Sequence, residues 1–347
     1  MAVRDFLEID GDYLEGGGQI LRTACALSVI TSKPIRVFNI RAKRPEPGLK
    51  SQHLVTIDAL RELSHSQVQG LKLGSKEIRF MPQEKVIVHP LLNIDIGTSG
   101  SIGLLLQSVL LAAAFHSAGV SLYIKGGTCG LGAMPVDYYP NVILPILYRS
   151  GLRASVRILR RGYYPKGGGE ASVEISPIRH PKPLALTKQG KIKRITGASI
   201  ASRDLMPKEV AQRQAEAAKK LLNQDFDCSI IINAEYVDTY SIGSEIDLYA
   251  FTDSNCILGA DARGELKVSA EVIGQEACAK LKKEIFSAAA VDMHLADNLI
   301  PWLGLLGGQI KVSEISKHTQ TNIWVVEQFF GKIFSIEGNT IRNIKAL

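Results

Sequence analysis

The sequence has little that would place the protein outside the cell or in a membrane. Its five cysteines (Cys25, Cys129, Cys228, Cys256 and Cys278) are scattered, odd in number and never spaced as CxxC. This argues against a disulfide framework or a structural zinc site and favours reduced thiols. The longest apolar run, Ile102 to Phe115, contains Gln107 and falls short of the roughly 20 residues that cross a bilayer, so it reads as a buried helix. The opening MAVRDFLEIDGDYLEGGG has no apolar export segment. With no low-complexity tract or polar tail either, a soluble, cytoplasmic protein with no membrane association is expected.

What is present is globular: 347 residues, 46% hydrophobic and 22% charged, enough to bury a sizeable core in two domains or a repeated unit. A net charge of +7 suits an anionic partner without choosing among RNA, nucleotide and anionic membrane.

Three stretches share one succession: apolar helix, short turn, strand, second helix, pair of strands. The first runs from GGGQILRTACALSVITSKPIRVFNI through HLVTIDALRELS to VQGLKLGSKEIRFMP. The second comprises SIGLLLQSVLLAAAFHSAGVSLYIKGG, NVILPILYRSG and LRASVRILRRGYYPKGGGEASVEISP. The third, LADNLIPWLGLLGGQIKVSEIS, TNIWVVEQFFG and KIFSIEGNTIRNI, begins only after a gap. The stretch between Pro183 and Lys280 therefore reads as an insert: strand KIKRITGASIAS, a helix opened by Pro207, then strands CSIIINAEY, SEIDLYAFTD and GELKVSAE. The fold class is α/β or α+β, with the ligand site expected where units and insert meet.

Five segments carry chemistry. Glu15-Gly16-Gly17-Gly18-Gln19 enters a helix with backbone N–H groups open to phosphates and a carboxylate able to hold a bridging metal, although a tight turn uses the same residues. Arg41 to His53 (RAKRPEPGLKSQH) is a basic, proline-stiffened loop suited to gripping several phosphates, or to a solvated turn. Gly97-Thr98-Ser99-Gly100-Ser101 opens the helix that carries Gln107, and GGTCGLGAMPVDY is a comparable loop in which Pro135 is placed to pack on a base. Asp292 and His294-Leu295-Ala296-Asp297-Asn298 set polar groups in an apolar helix, fit for ribose hydroxyls or for orienting an imidazole, and equally for a helix cap. Ser316 to Asn322 places His318 at the start of the amphipathic helix of Ile323, Val326 and Phe330. There the neutral, nucleophilic imidazole is favoured and phosphoryl charge is stabilised. An exposed histidine in a capping segment is the plain alternative.

Taken in order, EGGGQILR, IRAKRPEPGLKSQH, the GTSG helix with Gln107, YYPKGGGE, HLADN and KHTQTNIWVVEQFF resemble the RNA 3'-terminal phosphate cyclase family over essentially the whole chain. The resemblance implies three repeats of a two-helix, four-stranded-sheet unit in a large domain with a small inserted α/β domain: repeats one and two over 1–183, the insert over 184–280 and repeat three over 281–347. It also implies ATP as co-substrate, a divalent metal (Mg or Mn) and an RNA bearing a 3'-phosphate. In that chemistry a histidine takes AMP, passes it to the RNA phosphate, and the 2'-OH displaces AMP to leave a 2',3'-cyclic phosphate. Carried over by position, His318 is the nucleophile, Glu15 the metal or phosphate-side carboxylate, and Asp297 a catalytic neighbour. Gln107, Pro135, His294, Leu295, Ala296, Asp297 and Asn298 form the ATP site, and Arg22, Arg41, Arg44, Gln52 and His53 hold the RNA end or pyrophosphate. The sequence departs from the family pattern with His294 where many relatives carry Tyr and Asn298 where many carry Gln. Oligomer formation is compatible with the pattern. A non-catalytic cyclase-like factor in ribosomal RNA processing is the alternative function, and enolpyruvyl transferases have a similar repeated unit.

Overall fold

The computed structural model describes residues 5–83, 90–97, 99–130 and 132–345. Thr98 and Leu131, both in Gly-rich loops singled out above, lie outside the described residues.

Repeat one is β1 (Leu7–Asp10), α1 (Gly18–Thr31), β2 (Ile35–Phe38), α2 (Ser51–Ser64), β3 (Gln67–Gln69) and β4 (Ile78–Met81). Repeat two is β5 (Leu91–Asp95), α3 (Ile102–Ala114), β6 (Val120–Gly126), a π turn at Tyr139–Ile143 running into α4 (Leu144–Tyr148), β7 (Arg153–Arg160) and β8 (Gly169–Ser176). Repeat three begins with β9 (Leu184–Leu186), which is followed by the insert: β10 (Ile192–Ser202), α5 (Val210–Asp225), β11 (Ser229–Val237), β12 (Ser244–Thr252), β13 (Ile257–Arg263) and α6 (Ala270–Phe286). It resumes with α7 (Met293–Leu306), β14 (Gly308–Lys311), α8 (Lys317–Phe330), β15 (Phe334–Glu337) and β16 (Thr340–Asn343).

The three repeat sheets have one strand order, β1-β2-β4-β3, β5-β6-β8-β7 and β9-β14-β16-β15. In each, the first two strands are parallel and the rest antiparallel. The parallel pair requires a crossover, and the first helix of each repeat supplies it. Alternation sorts the faces. Along β6, Val120, Leu122 and Ile124 enter the core, while Ser121 and Tyr123 on the other face bond Glu174 and Glu170 of β8. The helices α1, α2, α3, α7 and α8 pack on one another behind these sheets in one continuous core. The insert has its own order, β11-β10-β12-β13, with α5 and α6 on one face over a second core.

Three readings of the insert change. GELKVSAE is no strand: Gly264–Val268 is irregular, and Ser269 accepts a bond from Val272 N (3.4 Å) to cap α6. The strand is ILGADAR just before it, whose small residues hide its alternation. The helix does not open at Pro207, which sits in a 3₁₀ turn (Arg203–Lys208); α5 starts after Glu209 in the left-handed region (φ 51°). The edges also differ from 184–280, because β9 pairs with β14 of repeat three and α6 runs to Phe286 against α5. Among the described residues no helix is long and apolar enough to cross a membrane.

Candidate active site

Four helices bring the site together, and each is started by a local device. In α1 the N-cap is Gly17, which offers no side chain to the first-turn N–H groups, so these remain open at the positive end of the helix. The preceding turn requires glycine at position 16, where φ is +56°. Gly18 is fixed by contact, since a Cβ there would lie 2.1 Å from His53 Nε2. α3 is capped by Ser101 (Leu104 N, 3.2 Å), α7 by Asp292 (Leu295 N, 2.8 Å) and α8 by Ser316 (Thr319 N, 2.9 Å).

Between them lies a cavity of about 330 Å³, within the range of small-ligand sites. Its wall includes Gln19 and Arg22 of α1, Gln107 of α3, Met134 of the Gly-rich loop, His294, Asp297 and Asn298 of α7, and His318 of α8. α1 packs on α8 and α3, and α8 on α7, so residues from the first, second and third repeats meet here.

His318 is half exposed at the start of α8. Gln19 holds it twice: its Nε2 donates to the His318 carbonyl at 2.7 Å, and its Oε1 lies against His318 Nδ1. The carbonyl can only accept, so the Gln19 amide is oriented with its oxygen toward the ring, and Nδ1 must carry the proton. Nε2 is left with its lone pair outward, 3.7 Å from Glu15 Oε2. Glu15 Oε1 is 3.8 Å from Lys317 Nζ, so this carboxylate has only long contacts and its lone pairs are available to a cation.

Asp297 is the half-buried anchor of the site. Ser316 Oγ (2.7 Å) and Thr319 Oγ1 (2.6 Å) donate to its Oδ1, and Asn322 Nδ2 donates to its carbonyl (2.6 Å). Burial raises its pKa, against the lowering effect of the hydrogen bonds from Thr319 and Ser316. Thr23 Oγ1 donates to Asn322 Oδ1 at 3.0 Å, tying α1 to the same network.

Arg22 is the unusual charge. It is 8% exposed, donates to Gln107 Oε1 at 3.3 Å and, among the described residues, leaves Nε without a partner and pairs with no carboxylate, so burial lowers its pKa to about 10. A buried guanidinium without a counter-ion, at the wall of a cavity beside an open helix N-terminus, is arranged for an anion. His53 is neutral. Its pKa is lowered to about 3 by burial and by Arg22, Arg41 and Lys50, and its Nδ1 accepts from Lys50 N at 3.0 Å, which puts the proton on the Nε2 that faces Gly18.

Other candidates stand apart. Arg41 spends its guanidinium on its own loop, donating to the carbonyls of Glu46 (2.8 Å) and Gly48 (3.1 Å). Arg44 lies over the glycine turn, its Nη2 3.5 Å from where a Gly17 Cβ would be. Gln52 lies at the start of α2, with Nε2 buried and unpartnered, and lines a neighbouring cavity with Ser101 and Tyr164. Leu295 and Ala296 are fully buried in the core, and Pro135 is buried outside the cavity wall. The helical period explains α7: positions 294, 297 and 298 share the open face, and 295 and 296 the opposite one. Sequence reasoning passed over Gln19 and Thr23 as site residues. The signal was there, since 19, 22 and 23 are polar, one helical turn apart, on an otherwise apolar helix.

Comparison with known proteins places these residues in a family. The family profile described as RNA 3'-terminal phosphate cyclase matches residues 13–336. The chain is 44% identical to the RNA 3'-terminal phosphate cyclase of Thermococcus kodakarensis over 99% of both chains, and 47% identical to that of Thermococcus onnurineus over 95% of both. With that of Methanopyrus kandleri it shares 40% identity over 96% of this chain and 95% of the relative. A match that runs across the repeats and the insert, with relatives 40–47% identical over nearly their whole length, means that the chain belongs to the RNA 3'-terminal phosphate cyclase family.

Proposed function

We propose that the chain uses ATP to convert an RNA 3'-terminal phosphate into a 2',3'-cyclic phosphate, through AMP carried on His318 Nε2, as a cytoplasmic enzyme. The observation that carries this reading is the double contact of Gln19 with His318, which fixes the tautomer and aims a free lone pair past Glu15 at the mouth of the cavity.

In the first step Nε2 attacks the α-phosphorus of ATP and the bond to pyrophosphate breaks. The Nδ1 proton stays on the ring, shared with Gln19 Oε1, and offsets charge that develops on the imidazole. Asp297, held by Ser316 and Thr319, supports the same charge from behind α8. Arg22 and the open first turn of α1 stabilise phosphate oxygens. A phosphate oxygen of the RNA then attacks the phosphorus of AMP and releases His318. Finally the neighbouring 2'-OH attacks the RNA phosphorus, loses its proton and expels AMP. Glu15 is the residue that would hold a divalent metal, Mg or Mn, which when bound neutralises phosphate charge. A single half-exposed carboxylate with long contacts fits an ion that takes most of its ligands from water and phosphates.

His294 and Met134 lie on the wall where a base would sit, and Asn298 Nδ2 is folded back on the His294 carbonyl (2.8 Å). Arg44 and His53 are the RNA-side contacts we favour, whereas Arg41 acts by shaping its loop. The test is incubation with α-labelled ATP and divalent metal without RNA, comparing the natural chain with His318→Ala for acid-labile label. Label on the natural chain alone is expected. No label on either, across pH and metals, would rule out the covalent step and leave RNA binding in ribosomal RNA processing as the function.

A further inference from the structure

A second polar cluster lies away from this cavity, between the insert and repeat two. β12 is buried on both faces: Ile246, Leu248 and Ala250 belong to the core under α5 and α6, so Glu245, Asp247 and Tyr249 face the other way. Glu245 is 0% and Asp247 1% exposed. Asp137, from the loop before α4, meets them there, and one ligand oxygen from each of the three lies within 4.8 Å of the others.

The hydrogen bonds of the cluster are incomplete. Arg161 donates to Asp137 Oδ1 (2.8 Å) and Glu245 Oε1 (3.0 Å), and Tyr163 Oη to Glu245 Oε1 (3.1 Å). Among the described residues, Glu245 Oε2 has no partner beyond the Cys129 thiol beside this carboxylate, and both oxygens of Asp247 have none. Independently of the three acids, the Tyr249 hydroxyl, one step along the same strand face and 4% exposed, has none either. Asp261 of β13 stands directly opposite Asp247 in the ladder, a like-charge pairing that destabilises a sheet unless it is neutralised. With all three ionised, three carboxylates against one guanidinium would leave two negative charges buried, and uncompensated buried charge is strongly unfavourable.

We propose that Asp137, Glu245 and Asp247 form a site for a divalent cation of the Mg²⁺ or Mn²⁺ type, which joins the insert to repeat two. Carboxylate oxygens are the donors such ions select, and the span of the cluster is close to the roughly 4.2 Å between opposite ligands of Mg²⁺. The ion balances the excess charge and gives the orphaned oxygens of Glu245 and Asp247 a partner, with the Tyr249 hydroxyl or water completing its shell. It is a structural ion, distinct from the one assigned to Glu15.

The experiment uses the full chain with Glu15→Ala, so that the other metal position is removed, stripped with EDTA and equilibrated with Mn²⁺ in the absence of ATP. Bound Mn²⁺ is counted by electron paramagnetic resonance, and the melting temperature is read with and without the ion. The expected result is a single tightly held Mn²⁺ and a rise of several degrees, both lost on adding Asp247→Asn or, as a second variant, Glu245→Gln. The metal-free Asp247→Asn chain should melt at or above the metal-free parent, since it buries one charge fewer, which separates loss of the ion from failure to fold. No tight Mn²⁺ in the parent, or undiminished binding after Asp247→Asn, overturns the proposal. Equal melting temperatures with and without Mn²⁺ would also overturn it and mean that protons neutralise the cluster. Failure of ATP labelling in a chain that still holds this ion would count against the cyclase reading alone.

Discussion

At the residue scale, the proposed chemistry depends on which nitrogen of His318 is free, and Gln19 decides it. Gln19→Leu keeps the bulk but removes both contacts, and we expect adenylylation to slow about 10- to 100-fold, the loss typical of a residue that orients a ligand from behind. ATP affinity should change little, and Gln19→Glu, which restores an acceptor for Nδ1–H, should recover most of the rate. A loss of ATP binding equal to the loss of rate would show that Gln19 only shapes the cavity. His53 gives a prediction about pH. Its folded pKa, about 3, is below the ordinary value near 6.5, so protons favour the unfolded chain. Its contribution to stability is complete above pH ~6.5 and is lost as pH falls toward 3, at up to about 1.4 kcal/mol per unit. Denaturant midpoints measured from pH 7 to pH 4.5 should fall less steeply for His53→Gln than for the natural chain. Much of the site was legible at this scale because polar residues on otherwise apolar helices stand out: Arg22, Gln107, Asp297 and His318 all line one cavity. Leu295 and Ala296 entered the expected site only as members of a contiguous motif, and the period of α7 turns them into the core.

At the scale of elements, three of the four helices at the site begin with a side-chain cap, and α8 depends on its cap twice over. Ser316 accepts from Thr319 N and donates to Asp297, so Ser316→Ala removes a cap worth about 1 kcal/mol and leaves a half-buried carboxylate short of one donor. A combined loss of about 1–3 kcal/mol in denaturant unfolding is expected, with slower adenylylation. Loss of stability without loss of rate would separate the cap from the chemistry. The helices and the paired strands were legible from period and alternation. The short strand that opens each repeat was harder to read: β1, β5 and β9 have only three to five residues, and β9 is cut off from its partner by the whole insert. β13 escaped because Ala260 and Ala262 lie under α6 while Gly259, on the other face, leaves no room for a side chain against Tyr138, so that neither face shows apolar alternation.

At the scale of the whole molecule, a charge of +7 directs the protein to polyanions, so binding of an RNA with a 3'-phosphate should weaken linearly in log–log with salt. Arg44→Ala should flatten that slope by about 0.7, the share of one phosphate contact on a single strand. Arg41→Ala, whose guanidinium bonds its own loop carbonyls, should lower affinity at every salt concentration and leave the slope near its original value. A flattened slope for Arg41→Ala would instead mean that it reaches the RNA.

The contact between Gln19 and His318 spans 299 positions of the chain. During synthesis, then, the segment that bears Glu15, Gln19 and Arg22 is complete long before the ribosome reaches His318 and its neighbours. The insert and both earlier sheets can fold in the interval, whereas the cavity shared by α1, α3, α7 and α8 gains its last wall only when α8 docks on α1. On the proposed mechanism, a chain interrupted before His318 takes up no AMP, and the enzyme reports its own completion.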